Sequence, residues 1–85
     1  KIFINHSIPK RVMLPYEVVE RENQEIAYFY SEGRIAAENI IPYPPGIPII
    51  MMGEEISSEI IENISYYKSI DTTVLGLSGD KIKVL

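Results

Sequence analysis

Four of the chain's six prolines fall within seven positions, at Pro42, Pro44, Pro45 and Pro48, in the stretch "PYPPGIP". Proline fixes its own φ, lacks a backbone donor and pushes the residue before it toward extended geometry. The sequence predicts a stiff, extended segment with one kink at Gly46, flanked by the apolar Ile40–Ile41 and Ile49–Met52.

Before it, "KIFIN" at the start predicts a short strand closed by Pro9, and "LPYEVVERE" a short helix with Pro15 at its first position and Glu17 favourable at its positive end. "EIAYFY", residues 25–30, is β-favouring, with Ile26, Tyr28 and Tyr30 on one side and Phe29 opposite. Ser31 is positioned to N-cap a short helix through "EGRIAAEN". Beyond the prolines, "IPIIMM" predicts a buried strand entered through Pro48. In "SSEIIENISYYKSI" the residues Ile60, Ile61, Ile64 and Tyr67 make one apolar stripe, with Ser57 as N-cap and Ile56 and Ile61 as a hydrophobic staple. "TTVLGL" and "KIKVL" predict two short strands around the turn "SGD", with Lys81 and Lys83 facing out against Ile82 and Val84. The fold class that follows is α+β: a small mixed domain, residues 1–85, of several short strands and about three helices.

At 85 residues the chain buries only about 60–65% of its unfolded surface, so it folds marginally alone or leans on a neighbour. A first residue other than methionine suggests a piece cut from a longer chain. A net charge of −4 without a basic cluster argues against nucleic-acid binding. The uncharged run Ile40–Gly53 is proline-broken and shorter than the roughly 20 residues of a membrane span. The absence of cysteine removes disulfides, thiolate catalysis and the usual zinc sites, and fits a cytoplasmic location.

Few residues are left to carry chemistry. His6 is the sole histidine, and Ser7, its neighbour on a strand, points to the opposite face, which disfavours a Ser–His pair. No metal site is expected. "GLSGD" lacks the spacing and lysine of a phosphate loop, and Glu17, Glu20, Glu22 and Glu25 read as a solvated face. Three uses of the proline stretch stay open: a plain connector, a ligand for a proline-recognising groove, or a brace holding Glu54 at a fixed position. The flanking isoleucines argue against the second. Glu54 and Glu55 precede Ser57, where a carboxylate serves either as a helix-dipole partner or as the acceptor of a substrate or partner cation.

The stretch "GRIAAENIIPYPPGIPIIMMGEEIS" resembles the C-terminal domain of the bacterial ornithine/lysine/arginine decarboxylases. In that family a Gly-Arg-Ile/Val-x-Ala stretch, here Gly33, Arg34, Ile35 and Ala37, leads into Pro-Tyr-Pro-Pro-Gly-Ile/Val-Pro, a short apolar strand and Pro-Gly-Glu. Here these are Pro42, Tyr43, Pro44, Pro45, Gly46, Ile47 and Pro48, then Gly53 and Glu54. "LPYEVVERENQEIAYFYSEG" resembles the segment before it, so the likeness covers about residues 10–85. One position departs: Met52 stands where the family commonly has proline, which predicts a looser approach to Glu54.

The resemblance implies a domain attached to a large aminotransferase-like catalytic domain that binds pyridoxal phosphate through a lysine and releases the α-carboxylate of lysine, ornithine or arginine as CO₂, on the way to polyamines. It implies a homodimer or higher homo-oligomer. None of Lys1, Lys10, Lys68, Lys81 or Lys83 stands in a cofactor motif, so these 85 residues alone are expected to be inactive. Glu54 is the expected substrate-binding residue, facing the distal cation, with Tyr43 and the proline loop shaping the wall and Arg34 structural. The alternative is a non-catalytic interaction or assembly domain, or a silent paralogue. A large upstream domain with a Ser-x-His-Lys type lysine distinguishes the enzyme from these.

Overall fold

The computed structural model describes residues 9–85, and the expected strand "KIFIN", with His6 and Ser7, lies outside them. Helix α2, Ser58–Ser69, is the longest element. Its start is set by Ser57, whose hydroxyl accepts the Ile60 N–H at 3.3 Å, with acidic Glu59 in the first turn and basic Lys68 in the last. Ile60 and Ile64 are buried, and Ile61 and Tyr67 pack against the same core, while Ser58, Glu59, Glu62, Ser65 and Ser69 face solvent. The shorter α1, Pro15–Val19, begins with proline and is tied at its start by the Leu14 N–H donating to a Glu17 carboxylate oxygen at 2.8 Å. Val18 is its buried residue.

Strand β1, Gln24–Ala27, pairs antiparallel with β4, Lys81–Val84, in the register Gln24↔Val84 to Ala27↔Lys81. Ile82 and Val84 are buried and Lys81 and Lys83 exposed, the alternation that the sequence predicts. Strand β2, Ile41–Tyr43, pairs antiparallel with β3, Thr73–Leu75. Its Pro42 and the opposing Val74 are buried, whereas Tyr43 and Leu75 face outward. Irregular segments extend the β1–β4 pair: Ala36 bridges Val84, Ile35 bridges Glu55, and Glu54 bridges Arg11. These segments bind through backbone groups, with Ala36 N–H donating to the Glu54 carbonyl at 2.9 Å and Glu55 N–H to that of Lys10 at 2.8 Å. Tyr28, Ala36, Ile40, Ile50, Ile56, Ile60, Ile64, Val74, Ile82 and Val84 form the core between α2 and the strands.

Five local expectations are corrected. Residues Tyr28–Tyr30 form a 3₁₀ turn rather than more strand, because the ladder to β4 ends at Ala27↔Lys81. Tyr28 turns into the core, its hydroxyl 3.1 Å from that of Ser65, and leaves Phe29 and Tyr30 exposed. "EGRIAAEN" is not a helix: Ser31 is buried and donates back to the Tyr28 carbonyl, Gly33 turns the chain at φ +83°, and Ile35–Ala36 bridge two neighbouring segments. Tertiary pairing there outweighs the helix propensity of the alanines.

"IPIIMM" does not form a strand either. Ile50 bridges Ile40, and the chain turns again at Met52–Gly53. The turn "SGD" closes only a Ser78↔Lys81 bridge, so β3 and β4 pair with β2 and β1 rather than with each other. The proline stretch is extended only at Pro42–Tyr43, in β2, and turns from there on. Its Tyr43–Pro44 and Pro44–Pro45 bonds are cis, Gly46 N–H donates to the Pro42 carbonyl at 2.7 Å, and Ile40 and Ile50 fasten the ends. The stretch is a closed loop that presents Ile47 and Tyr43 to solvent.

Candidate functional site

Glu54 sits where three chain segments meet. The turn Met51–Glu54 is closed by the Glu54 N–H donating to the Met51 carbonyl at 3.1 Å. In return, a Glu54 carboxylate oxygen, Oε1, accepts the Met51 N–H at 2.7 Å. Gly53 N–H reaches the Ala36 carbonyl at 2.8 Å, and the Gly53 carbonyl accepts both Val12 and Met13 N–H at 2.9 Å. Gly53 has φ +94°, and a Cβ there would lie 2.1 Å from the Met13 carbonyl oxygen. Only glycine fits, which is the physical reason for a glycine immediately before Glu54.

Met52 is the departure expected to loosen this approach. Its N–H donates to the Asn39 side-chain oxygen at 2.7 Å, a bond that proline cannot make. A side chain thirteen residues away thus ties the turn.

The side chain of Glu54 is 15% exposed. Its second oxygen, Oε2, lies 3.8 Å from Arg11 Nη2, within ion-pair range and beyond hydrogen-bonding range. Arg11 Nη1 donates to the carbonyls of Met13 at 2.8 Å and Met52 at 3.2 Å. Sequence reasoning missed Arg11 and Asn39. Both lie far along the chain from Glu54, and the only local signal is the charge of Arg11 beside an acidic motif.

Tyr43 is 65% exposed on the outer side of β2, with its ring against Gly46. Glu54 bonds to Met51 and pairs with Arg11, not with Tyr43. Pro44, Pro45, Gly46 and Pro48 are exposed and Pro42 and Gly53 buried. Arg34 is structural, as expected: Nε and Nη2 donate to the main-chain oxygen of Leu85 at 3.1 and 2.6 Å. Glu17, Glu20, Glu22 and Glu25 are all exposed. A shallow pocket of about 460 Å³ lies along α1 beside Met13, Tyr16, Glu17, Glu20 and Arg21. Among the described residues no helix is long and apolar enough to cross a membrane.

The described lysines do not fit a pyridoxal phosphate site. Lys68 is tied to Asp80 and to the Gly79 carbonyl, and Lys10, Lys81 and Lys83 are exposed.

A small α+β domain, with a closed proline loop and a pinned Gly–Glu turn before a capped helix, is the class of protein that these features define. The model of the family "Orn/Lys/Arg decarboxylase, C-terminal domain" matches residues 3–80, and the chain belongs to that family. It is 41% identical over 56 residues to the inducible lysine decarboxylase of Escherichia coli K12, covering 61% of this chain and 8% of that one. It is 42% identical over 65 residues to the arginine decarboxylase of Bacillus subtilis, covering 75% and 13%. The solved structure of the E. coli constitutive lysine decarboxylase superposes with a TM-score of 0.78 at 26% identity, over 94% of this chain and 14% of that one. The chain thus spans between 8% and 14% of the length of these proteins.

Proposed function

We propose that this chain is the C-terminal domain of a decarboxylase of basic amino acids and supplies part of the wall of its substrate site. The support is membership of the decarboxylase family together with relatives that are named for lysine and for arginine. Pyridoxal phosphate, bound by a large domain elsewhere in the enzyme, would act as the electron sink for loss of the α-carboxylate. No step of that chemistry is assigned to the residues described here. Their part is recognition and packing, within a cytoplasmic homodimer or larger homo-oligomer.

The observation that carries the site assignment is the unequal engagement of the two oxygens of Glu54. Oε1 is held by the Met51 N–H, whereas Oε2 has Arg11 at 3.8 Å and keeps a lone pair for a second cation. The distal ammonium or guanidinium of a basic amino acid is such a cation. A charge-assisted contact contributes about 1.5–3 kcal/mol, equivalent to about a ten- to hundredfold change in the specificity constant. In the full-length enzyme, Glu54→Gln is therefore expected to raise KM for the basic amino acid by that factor and to leave kcat nearly unchanged. An unchanged KM reduces Glu54 to a residue that pins its own turn.

Exposed Tyr43, Ile47 and Leu75 favour a second reading, in which the β2–β3 face and the proline loop buttress an interface. Under it the protein is an assembly domain or a silent paralogue, and Glu54→Gln changes no kinetic constant.

A further inference from the structure

We infer that Arg11 is the positioning residue for Glu54, an inference that rests on the reading of Glu54 as the cation acceptor. The guanidinium of Arg11 is planar and carries its donors in a rigid fork. Nη1 is fixed by two backbone carbonyls, those of Met13 and Met52, which belong to the two segments that flank Gly53. Fixing Nη1 also fixes where Nη2 points, and Nη2 faces Glu54 Oε2. The orientation of Arg11 is thus set by the backbone and not by the carboxylate it faces.

Two consequences follow for Glu54. Its side chain is gripped at Oε1 by the Met51 N–H and drawn at Oε2 toward a cation that does not move with it. At 3.8 Å the pair makes no hydrogen bond, which leaves the lone pairs of Oε2 to an incoming ammonium or guanidinium. Arg11 is 36% exposed at the side chain and Glu54 15%, so the pair is partly open to solvent at the turn. Arg11 also joins the segment before α1 to the Met52–Gly53 turn, so its loss removes one tie of the turn and the cation that faces Oε2, while the Met51 N–H still holds Oε1.

Lysine cannot substitute fully. Its ammonium can span the two carbonyls but offers no second, rigidly placed nitrogen to Oε2.

The test uses the full-length enzyme with a basic amino acid as substrate and compares Arg11→Gln, Arg11→Lys, Glu54→Gln and the Arg11→Gln/Glu54→Gln double variant. Arg11→Gln is expected to raise KM about as much as Glu54→Gln, at least about tenfold, with kcat held within about twofold. Arg11→Lys should fall between wild type and Arg11→Gln. The double variant should be no worse than Glu54→Gln alone, since a residue that acts only through Glu54 loses its effect once the carboxylate is gone. A loss of stability alone would lower the amount of active enzyme without moving KM, and Arg11→Lys supplies the measurement where Arg11→Gln fails to fold. The inference is overturned if Glu54→Gln raises KM while both Arg11 variants leave it unchanged, or if the double variant shows the two effects adding. If Glu54→Gln itself leaves KM unchanged, the cation reading falls first and the inference falls with it.

Discussion

Replacing Gly53 by alanine is expected to cost about 3 kcal/mol or more of folding stability, more than backbone strain alone supplies. At φ +94° the new Cβ would stand 2.1 Å from the Met13 carbonyl oxygen and 3.0 Å from Arg11 Nη1. The Met13 carbonyl has little room to retreat. It accepts from Arg11, and the Val12 and Met13 N–H groups both donate to the Gly53 carbonyl itself. Relief of the clash therefore breaks the bonds that define the turn. Gly33 provides the comparison: it has a similar φ of +83°, yet nothing lies within 4 Å of its absent Cβ. Gly33→Ala should accordingly cost only the strain, about 1–2 kcal/mol. Denaturant unfolding of the two variants, followed by circular dichroism, separates the terms, and equal losses would mean that the close approach at Gly53 relaxes freely.

Ile56→Ala is expected to cost about 2–5 kcal/mol. Ile56 is fully buried, its N–H donates to the Arg34 carbonyl at 2.9 Å, and its own carbonyl accepts the Gly33 N–H at 2.7 Å. Alanine keeps both backbone bonds, so the loss measures packing alone at the point where the strand layer passes into α2. Ile56→Val, which removes one methyl group, should cost about 0.5–1.5 kcal/mol. Val19, 68% exposed on α1, is the surface control, and its change to alanine should stay within about 0.5 kcal/mol of wild type. A small effect at Ile56, comparable with that at Val19, would show that the core is not closed around this residue.

The elements legible in the sequence are those whose partners do not need to be known. Helix α2 announces itself through Ser57 and the isoleucine stripe, β4 through the alternation of Lys81, Ile82, Lys83 and Val84, and α1 through Pro15 and Glu17. Residues 31–39 were not legible, because Ile35 and Ala36 are held by Glu55 and Val84, far along the chain. The "YFY" run has strand propensity, but its ladder partner ends at Lys81, and propensity cannot supply a missing partner. The same holds at the site. Glu54 stands out by its motif and its place before a helix, whereas Arg11 and Asn39 become visible only when the fold brings them to the Met51–Glu54 turn.

Met52 shows how a motif departure can mislead. The loss of a proline reads as a loss of rigidity until the freed N–H is found on Asn39. A hydrogen bond of this kind contributes about 0.5–1.5 kcal/mol, comparable to the about 0.4–1 kcal/mol that a well-placed proline adds by restricting the unfolded chain. The turn that carries Glu54 thus has a tie at Met52 of about the size that a proline there would supply.

Whether this domain serves a decarboxylase is decided by one assay on the full-length native protein: its visible spectrum, together with CO₂ release from lysine, ornithine and arginine. A yellow, pyridoxal-phosphate-bound protein that releases CO₂ from one of the three is the predicted result, and it names the substrate as well. A colourless protein that binds no pyridoxal phosphate and releases no CO₂ from any of them would contradict the enzyme assignment and leave the proline loop as part of an interface.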